Sequence, residues 1–369
     1  MSWDDSSRDC PRSPGNERRP AARRRSHRSR QAEGSLVSAA EGSGVAPVLG
    51  AVIIGRNEGE RLRRCLTSCA ALGTRRVYVD SGSTDGSAEL AMQLGARVVR
   101  LDMGKPFTAA RARNAGLREM LAAVPELERV QFIDGDCELG PGWLASASAF
   151  LDAHPEVVAV AGRRRERHPE ATIYNQLCDI EWNTPVGEAK AIGGDALFRV
   201  EAIVRAGGYR DGLIAGEEPE LCVRLRAAGG RIWRIDADMT WHDAAIARFS
   251  QWWRRTMRSG YAFAEGAHLH GAAPERHFVR ETRRALAWGA LLPVAIVLAS
   301  CLLPAAAALL LIYPAQWIRL GRRFAAQGGP LPWRHAFFLI LGRFPEAQGA
   351  IKFLLARASG RAGALIEYK

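Results

Sequence analysis

Cysteine patterns that would mark a zinc or redox site are missing from this sequence of 369 residues. Its seven cysteines form no Cys-x-x-Cys pair and no cluster with histidine. An odd number without such spacing is typical of a reducing compartment, where cysteine serves as a small apolar residue. We therefore expect Cys65 and Cys69, four apart on a predicted helix, to lie in the core.

Apolar periodicity is absent from residues 1–46, which are rich in Arg, Ser, Pro and Gly. Such a segment cannot bury enough surface to order itself and predicts a disordered tail. It also has no apolar core of the kind found in signal peptides, so secretion is not expected. With a formal charge of +12, the chain suits anionic partners, but a solvated tail accounts for these arginines equally well and no specific nucleic-acid partner is expected.

Charge is missing from residues 285–318, which are rich in Leu and Ala. A single membrane span needs about 20 residues and two spans about 40, so this segment predicts a hairpin or a re-entrant element centred on Pro304. Arginines on both sides place both ends in the cytoplasm. We predict interfacial helices over residues 246–284, where five aromatics mix with arginines, and a cytoplasmic or interfacial tail over residues 319–369. The aromatics are Phe249, Trp252, Trp253, Tyr261 and Phe263.

Short apolar runs alternate with amphipathic helical patterns over residues 47–245. This alternation predicts an α/β domain with a mostly parallel sheet covered by helices on both faces. We divide the domain into halves at residues 47–140 and 141–245. Ligands of such sheets bind at the carboxyl ends of the strands, which places Asn57, Asp80, Asp85 and Asp134 along one rim.

Asp134-Gly135-Asp136 follows the apolar run Val130–Ile133. Two carboxylates separated by glycine suit Mg²⁺ or Mn²⁺, which keep water and phosphate oxygens as their other ligands. A plain surface turn is the alternative. The residues alone leave both open.

Four segments in this order resemble the nucleotide-binding half of the family 2 glycosyltransferases, which have the GT-A fold. They are Val52–Glu58, Val79–Gly86, Ala112–Gly116 and Ile133–Asp136. The resemblance implies a nucleotide-sugar donor held by Asn57, Glu58, Asp80, Asp85, Arg113 and Asp134. Within this set it places Asp80 at the nucleobase, Arg113 near the phosphates, and Asp136 with Asp134 at the metal. Ser81 replaces the usual second aspartate, so the base stays open, although a UDP-sugar is the family's commonest donor.

Gly193, Gly194 and Asp195 resemble the acceptor-side strand of the same family. Farther on, the family's Glu-Asp-x-Asp-Leu motif corresponds to residues 217–221, which implies that Glu218, or else Glu217, is the catalytic base. Acidic residues in a first helical turn are also explained by the helix dipole. Within that helix, Glu220 and Arg224 are expected to form an i,i+4 ion pair.

His242 follows the last predicted strand and resembles a third metal or diphosphate ligand of some members, with a structural histidine as the alternative. A base opposite a metal-bound diphosphate predicts in-line, inverting transfer. The processive signature Gln-x-x-Arg-Trp ends in Arg255 here, so transfer of one sugar is expected.

The predicted acceptor is a lipid-linked molecule or a glycan at the cytoplasmic face of the bacterial inner membrane. Leu365–Lys369 resembles the end of members that act in exopolysaccharide assembly. A sugar nucleotidyltransferase is an alternative, but Gly55–Glu58 is not its glycine-rich basic loop. A non-catalytic membrane or nucleic-acid adaptor is another.

Overall fold

The computed structural model describes residues 46–360. The predictions for the amino-terminal tail up to residue 45 and for Leu365–Lys369 lie outside the described residues. The strands are β1 (Leu49–Gly55), β2 (Arg76–Asp80), β3 (Arg97–Arg100), β4 (Arg129–Asp134), β5 (Cys137–Leu139), β6 (Val157–Glu166), β7 (Gly187–Glu188), β8 (Ala196–Arg199) and β9 (Arg231–His242). The helices are α1 (Glu60–Ser68), α2 (Ser87–Gln93), α3 (Ala109–Ala123), α4 (Trp143–Ala153), α5 (Ile173–Glu181), α6 (Val200–Arg205), α7 (Glu217–Ala227), α8 (Phe249–His270), α9 (Val279–Leu286), α10 (Leu292–Leu302), α11 (Ile312–Ala326), α12 (Pro332–Leu341) and α13 (Arg343–Ala358).

All nine strands form one mixed sheet in the order β3-β2-β1-β4-β8-β6-β9-β5, with β7 paired to β9. The first four strands are parallel, as the sequence predicts for this half. Strand β8 then enters antiparallel to both β4 and β6. The sheet is therefore parallel from β3 to β4 and mixed beyond β4.

Helix α3 lies unusually close to the sheet. A Cβ on Gly116 would stand 2.3 Å from Val52 Cγ1 and 2.9 Å from Val79 Cγ2, so only glycine allows this approach. Thr108 caps the helix by accepting a hydrogen bond from the Arg111 amide. Since Arg113 is one turn before Gly116, it faces inward at the carboxyl edge of the sheet.

The core is formed by the buried faces of the strands and the helices on them, and it contains Cys65 and Cys69 at 0% exposure. This confirms their predicted role. The Glu220–Arg224 pair is also present, with a distance of 2.6 Å between the Glu220 Oε2 and Arg224 Nη2 atoms.

Helix α8 packs against α13 through small residues. A Cβ on Gly260 would stand 2.0 Å from the Glu346 oxygen, and one on Gly349 would stand 1.9 Å from the Met257 oxygen. Backbones in such close contact bury the helix within the protein. The prediction that its aromatics lie at lipid headgroups is wrong for three of the five, because Trp252, Tyr261 and Phe263 are buried.

Residues Val279–Leu302 form one helix of 24 residues with a mean hydropathy of 2.2 in its most apolar window. Only 11% of that window is buried. A π-helical segment, Ala287–Leu291, precedes Pro293, and this widened turn accommodates a proline that would otherwise clash with the carbonyl four residues earlier. Pro304 begins a 3₁₀ segment that ends at Leu311, so the helix ends where the sequence suggested a break.

Candidate active site

The donor rim is built from the loops that follow β1 and β2. The Asn57 side-chain oxygen accepts a hydrogen bond from the Thr84 amide at 2.8 Å, and the Asn57 amide donates to Ser83 Oγ at 2.9 Å. Asp80 is buried, and its Oδ2 accepts from the amides of Gly82 and Ser83. These contacts give the loop its shape.

Two further donor-side residues hold the start of α2. Asp85 Oδ1 accepts from the Ser87 amide at 3.0 Å, and the Ser87 hydroxyl accepts from the Glu58 amide at 3.2 Å. The Glu58 carboxylate pairs with Arg61 at 2.8 Å. The structure therefore brings together the polar side chains that the sequence placed at this rim, and it gives each a supporting contact.

The Asp134-Gly135-Asp136 turn meets the end of β9. Strand β5 pairs Cys137 with His242, which brings His242 Nε2 to 3.4 Å from Asp136 Oδ2. Asp136, Cys137 and His242 offer ligand atoms within 4.8 Å of one another, and Asp134, Cys137 and Asp195 do the same. Oxygen ligands suit Mg²⁺ or Mn²⁺, and imidazole is more favourable to Mn²⁺.

Burial lowers the pKa of His242, and the nearby Arg164 guanidinium adds to this effect. The imidazole is thus neutral at pH 7, the form in which it can ligate a metal. Its Nδ1 atom lies 3.7 Å from Glu166 Oε2. A carboxylate on the far side of a histidine ring is the usual second layer of a metal site.

Asp195 supports the cluster from below. It is fully buried, accepts a hydrogen bond from the Asp134 amide at 3.1 Å and accepts another from Thr240 Oγ1 at 2.8 Å. Sequence reasoning expected it on the acceptor side. The structure places it next to Asp134, because β8, which begins at the following residue, runs antiparallel beside β4; its role on the acceptor side stays a prediction.

Arg113 joins the two halves of the site. Its Nη2 lies 2.9 Å from Asp134 Oδ1, and its Nη1 lies 2.8 Å from Glu217 Oε1 and 2.7 Å from Glu218 Oε1. Its side chain is only 3% exposed. The guanidinium thus holds the two candidate bases beside the Asp134-Gly135-Asp136 turn. The predicted contact of Arg113 with donor phosphates stays a prediction.

The two glutamates face different neighbours. Glu218 lies toward Gly194, where a Cβ would stand 3.1 Å from Glu218 Oε1 and 3.4 Å from Asp134 Oδ2. Glu217 lies near Glu265 of α8. Burial, together with repulsion by the Glu217 carboxylate, raises the pKa of Glu265 to about 7. Of the two glutamates, Glu218 is the one that lies beside Gly194; its role as the base stays a prediction.

Burial raises the pKa of Glu218 to about 8, although Arg113 opposes the shift, and the Glu217 carboxylate raises it further. Three carboxylates share one guanidinium here, so a proton is retained on one of them at neutral pH. Catalytic bases are commonly tuned toward neutral pH in this way.

Sequence reasoning missed Arg164, Cys137 and Glu166. Arg164 Nη2 lies 3.2 Å from Asp134 Oδ2, and its guanidinium lies over the Trp182 ring at 4.9 Å. The segment Arg163–His168 is polar throughout, yet β6 continues to Glu166 and brings Arg164 and Glu166 to the site. Every residue of that segment is polar, so no period-2 alternation marks it as a strand.

These features define an α/β domain with the GT-A fold. The mannosyltransferase PcManGT from Pyrobaculum calidifontis, solved in complex with GDP-Man and Mn²⁺, shares the fold with a TM-score of 0.58. It is 22% identical, and the alignment covers 84% of this chain and 88% of that chain.

Residues 51–198 match the family Glycosyl transferase family 2. The chain is also similar to the succinoglycan biosynthesis protein ExoA of Rhizobium meliloti (strain 1021), with 33% identity over 190 residues. That alignment covers 48% of this chain and 55% of ExoA, so the chain spans about half the length of this relative.

Proposed function

We propose that the protein is a membrane-bound, metal-dependent, inverting glycosyltransferase. It transfers one sugar from a nucleotide-sugar donor, most commonly a UDP-sugar in this family, to a lipid-linked or glycan acceptor at the cytoplasmic face of the inner membrane. The observation that carries the proposal is the arrangement of two groups of residues. Asp136 and His242 lie 3.4 Å apart at the Asp134-Gly135-Asp136 turn, and Arg113 contacts both Asp134 of that turn and Glu218. The similarity to ExoA supports a role in exopolysaccharide or cell-envelope glycan synthesis.

The donor side supplies charge neutralisation. Asp136 and His242, with Asp134 beside them, would hold Mg²⁺ or Mn²⁺. A cation held by these residues would supply Lewis-acid neutralisation of the negative charge on the diphosphate leaving group. Asn57 and Asp80 shape the loops on which the nucleoside would lie, and the replacement at Ser81 leaves its base open.

Glu218 acts as the base on the acceptor side. Its ionised carboxylate takes the proton from the acceptor hydroxyl as that oxygen attacks the anomeric carbon and the bond to the diphosphate breaks. Attack from the face opposite the leaving group inverts the anomeric centre. Arg113 keeps Glu218 oriented through the 2.7 Å contact, and Gly194 leaves room in front of it.

Membrane attachment rests on the apolar segment between Ala285 and Leu311. Its outward side chains form a large apolar surface, which marks contact with lipid or another apolar partner. These side chains include Leu291, Val294, Val297, Leu298, Leu302, Leu303, Leu309 and Leu310. Arginines on both sides of the segment favour a hairpin or re-entrant element with both ends in the cytoplasm.

The proposal is tested by measuring release of nucleoside diphosphate from a panel of nucleotide sugars in membranes containing the protein, with and without Mn²⁺. Wild type is compared with Asp136→Ala, Glu218→Gln and the control Glu89→Gln, a surface carboxylate paired with Arg100. We expect turnover that requires the cation, survives in the control and is lost in both site variants. Undiminished turnover in the two site variants would contradict the assignment.

A further inference from the structure

A groove lies between the segment that links α5 to β7 and the strands β6 and β9. Its cavity volume is about 660 Å³. Arg163 and Arg234 line its interior, while Asp236 and Asp238 are exposed at its rim. No residue that lines this groove belongs to the candidate active site described above, so the groove is a separate feature of the acceptor half.

Arg234 is buried without a partner. It is 5% exposed, and across residues 46–360 its guanidinium makes no hydrogen bond or ion pair. Its Nε atom is enclosed and unsatisfied. Burial lowers the pKa of Arg234, and the nearby Asp236 only partly compensates. An uncompensated buried charge is costly to folding, so its presence beside a cavity points to a ligand that supplies the missing negative charge.

Arg163 adds a second cationic group to the same interior. Its Nη2 donates to the Asp179 carbonyl at 3.0 Å and to Asp179 Oδ2 at 3.1 Å, whereas its Nη1 is enclosed and unsatisfied. Burial lowers the pKa of Arg163, and repulsion from Arg165 and Arg234 adds to the shift, against attraction by Asp179. Two guanidiniums that repel each other form a natural cradle for one oxyanion.

The rim selects for more than charge. Asp236 and Asp238 are exposed carboxylates, and Asn183 and Thr184 supply an amide and a hydroxyl on the facing segment. These groups accept and donate hydrogen bonds to hydroxyl groups, while the carboxylates repel a ligand with many negative charges. The ligand that satisfies both parts has one anionic group on a hydroxyl-rich body.

We propose that this groove is a second saccharide-binding site, in which Arg163 and Arg234 hold the oxyanion of an acidic sugar and the rim holds its hydroxyls. The oxyanion is a carboxylate or a phosphate. The site does not depend on the transfer reaction, since it shares no residue with the candidate active site.

Binding of three probes tests the proposal: glucuronate, glucose 6-phosphate and neutral glucose, measured by calorimetry on the full chain in detergent without divalent cations. We expect wild type to bind at least one acidic probe and not glucose. Arg234→Gln should weaken that binding about tenfold or more, because it removes a charge-assisted contact. The control Arg231→Gln, an exposed arginine on the same strand that pairs with Glu188, should bind like wild type.

Preference for glucuronate or for glucose 6-phosphate identifies the oxyanion, and either result supports the site. Failure of wild type to bind both acidic probes, or equal binding by Arg234→Gln, would overturn it. Thermal unfolding without ligand gives a second readout, since removal of an unpaired buried charge should raise the melting temperature of Arg234→Gln. A lowered melting temperature would show that Arg234 is structural and would also overturn the proposal.

Discussion

Replacement of Glu218 by glutamine should separate stability from activity. The Glu218 side chain is 11% exposed, and its pKa is raised to about 8 from an ordinary value of 4.5. At pH 7 the folded protein therefore keeps a proton that the unfolded chain releases. Integrated from pH 4.5 to pH 7, the cost is on the order of 3 kcal/mol, since each pKa unit corresponds to about 1.4 kcal/mol.

The sign of this effect follows from the raised pKa. The stability associated with protonated Glu218 is fully present below pH 4.5 and is lost as the pH rises toward 8. Glutamine does not titrate, so Glu218→Gln should gain stability over wild type across this interval. The gain should be near zero at pH 4.5 and about 3 kcal/mol at pH 7, which corresponds to a rise of several degrees in melting temperature.

Thermal unfolding in detergent at pH 5 and pH 8 measures this gain. Activity should change in the opposite direction, with a loss of about 10² to 10⁴ in turnover because the base is missing. For wild type, kcat/KM should rise about tenfold per pH unit up to about pH 8, since only ionised Glu218 accepts the proton. A difference in melting temperature that does not change between pH 5 and pH 8 would refute the reasoning.

Three further predictions concern the metal, the glycines and the membrane. Asp136→Asn should abolish Mn²⁺ binding, measured by electron paramagnetic resonance, because a ligand oxygen is lost. Gly194→Ala should lower turnover about tenfold or more, since its Cβ would lie 2.5 Å from the Arg113 guanidinium; Gly193→Ala, with nothing nearer than 4.0 Å, is the matched control. Leu298→Lys costs about 2.5–3.5 kcal/mol at the centre of a bilayer and should increase release by alkaline carbonate, whereas the exposed Val204→Lys should not.

The sequence predicted those parts of the fold that depend on local signals. The apolar runs of β1, β2 and β4 are buried on both faces, so they read as strands without tertiary information. The rim residues follow from the rule that parallel strands present ligands at their carboxyl ends. The Asp134-Gly135-Asp136 turn was found in the same way.

The pairing of strands and helices that are distant in the sequence could not be predicted from local patterns. His242 reaches Asp136 only because β9 continues for 12 residues and pairs with β5, and no local pattern specifies that partner. Similarly, Tyr261 is buried because α13 places Gly349 against α8, and Trp252 is buried because it packs on Tyr174 and Phe338. A helix with aromatics and arginines has the same pattern whether its partner is lipid or another helix.

The pairing of β4 with β8 also limits how this fold can diversify. Backbone hydrogen bonds from Arg129 to Phe132 tie the donor half directly to Ala196–Arg199 of the acceptor half. Within residues 46–360, residues 141–245 therefore cannot be exchanged as an independent unit. A chimera joined at residue 140 would have to re-form the pairing between β4 and β8. New acceptor specificities are therefore expected to arise by variation within the segment between α5 and β8, with its two ends fixed and the donor chemistry left unchanged.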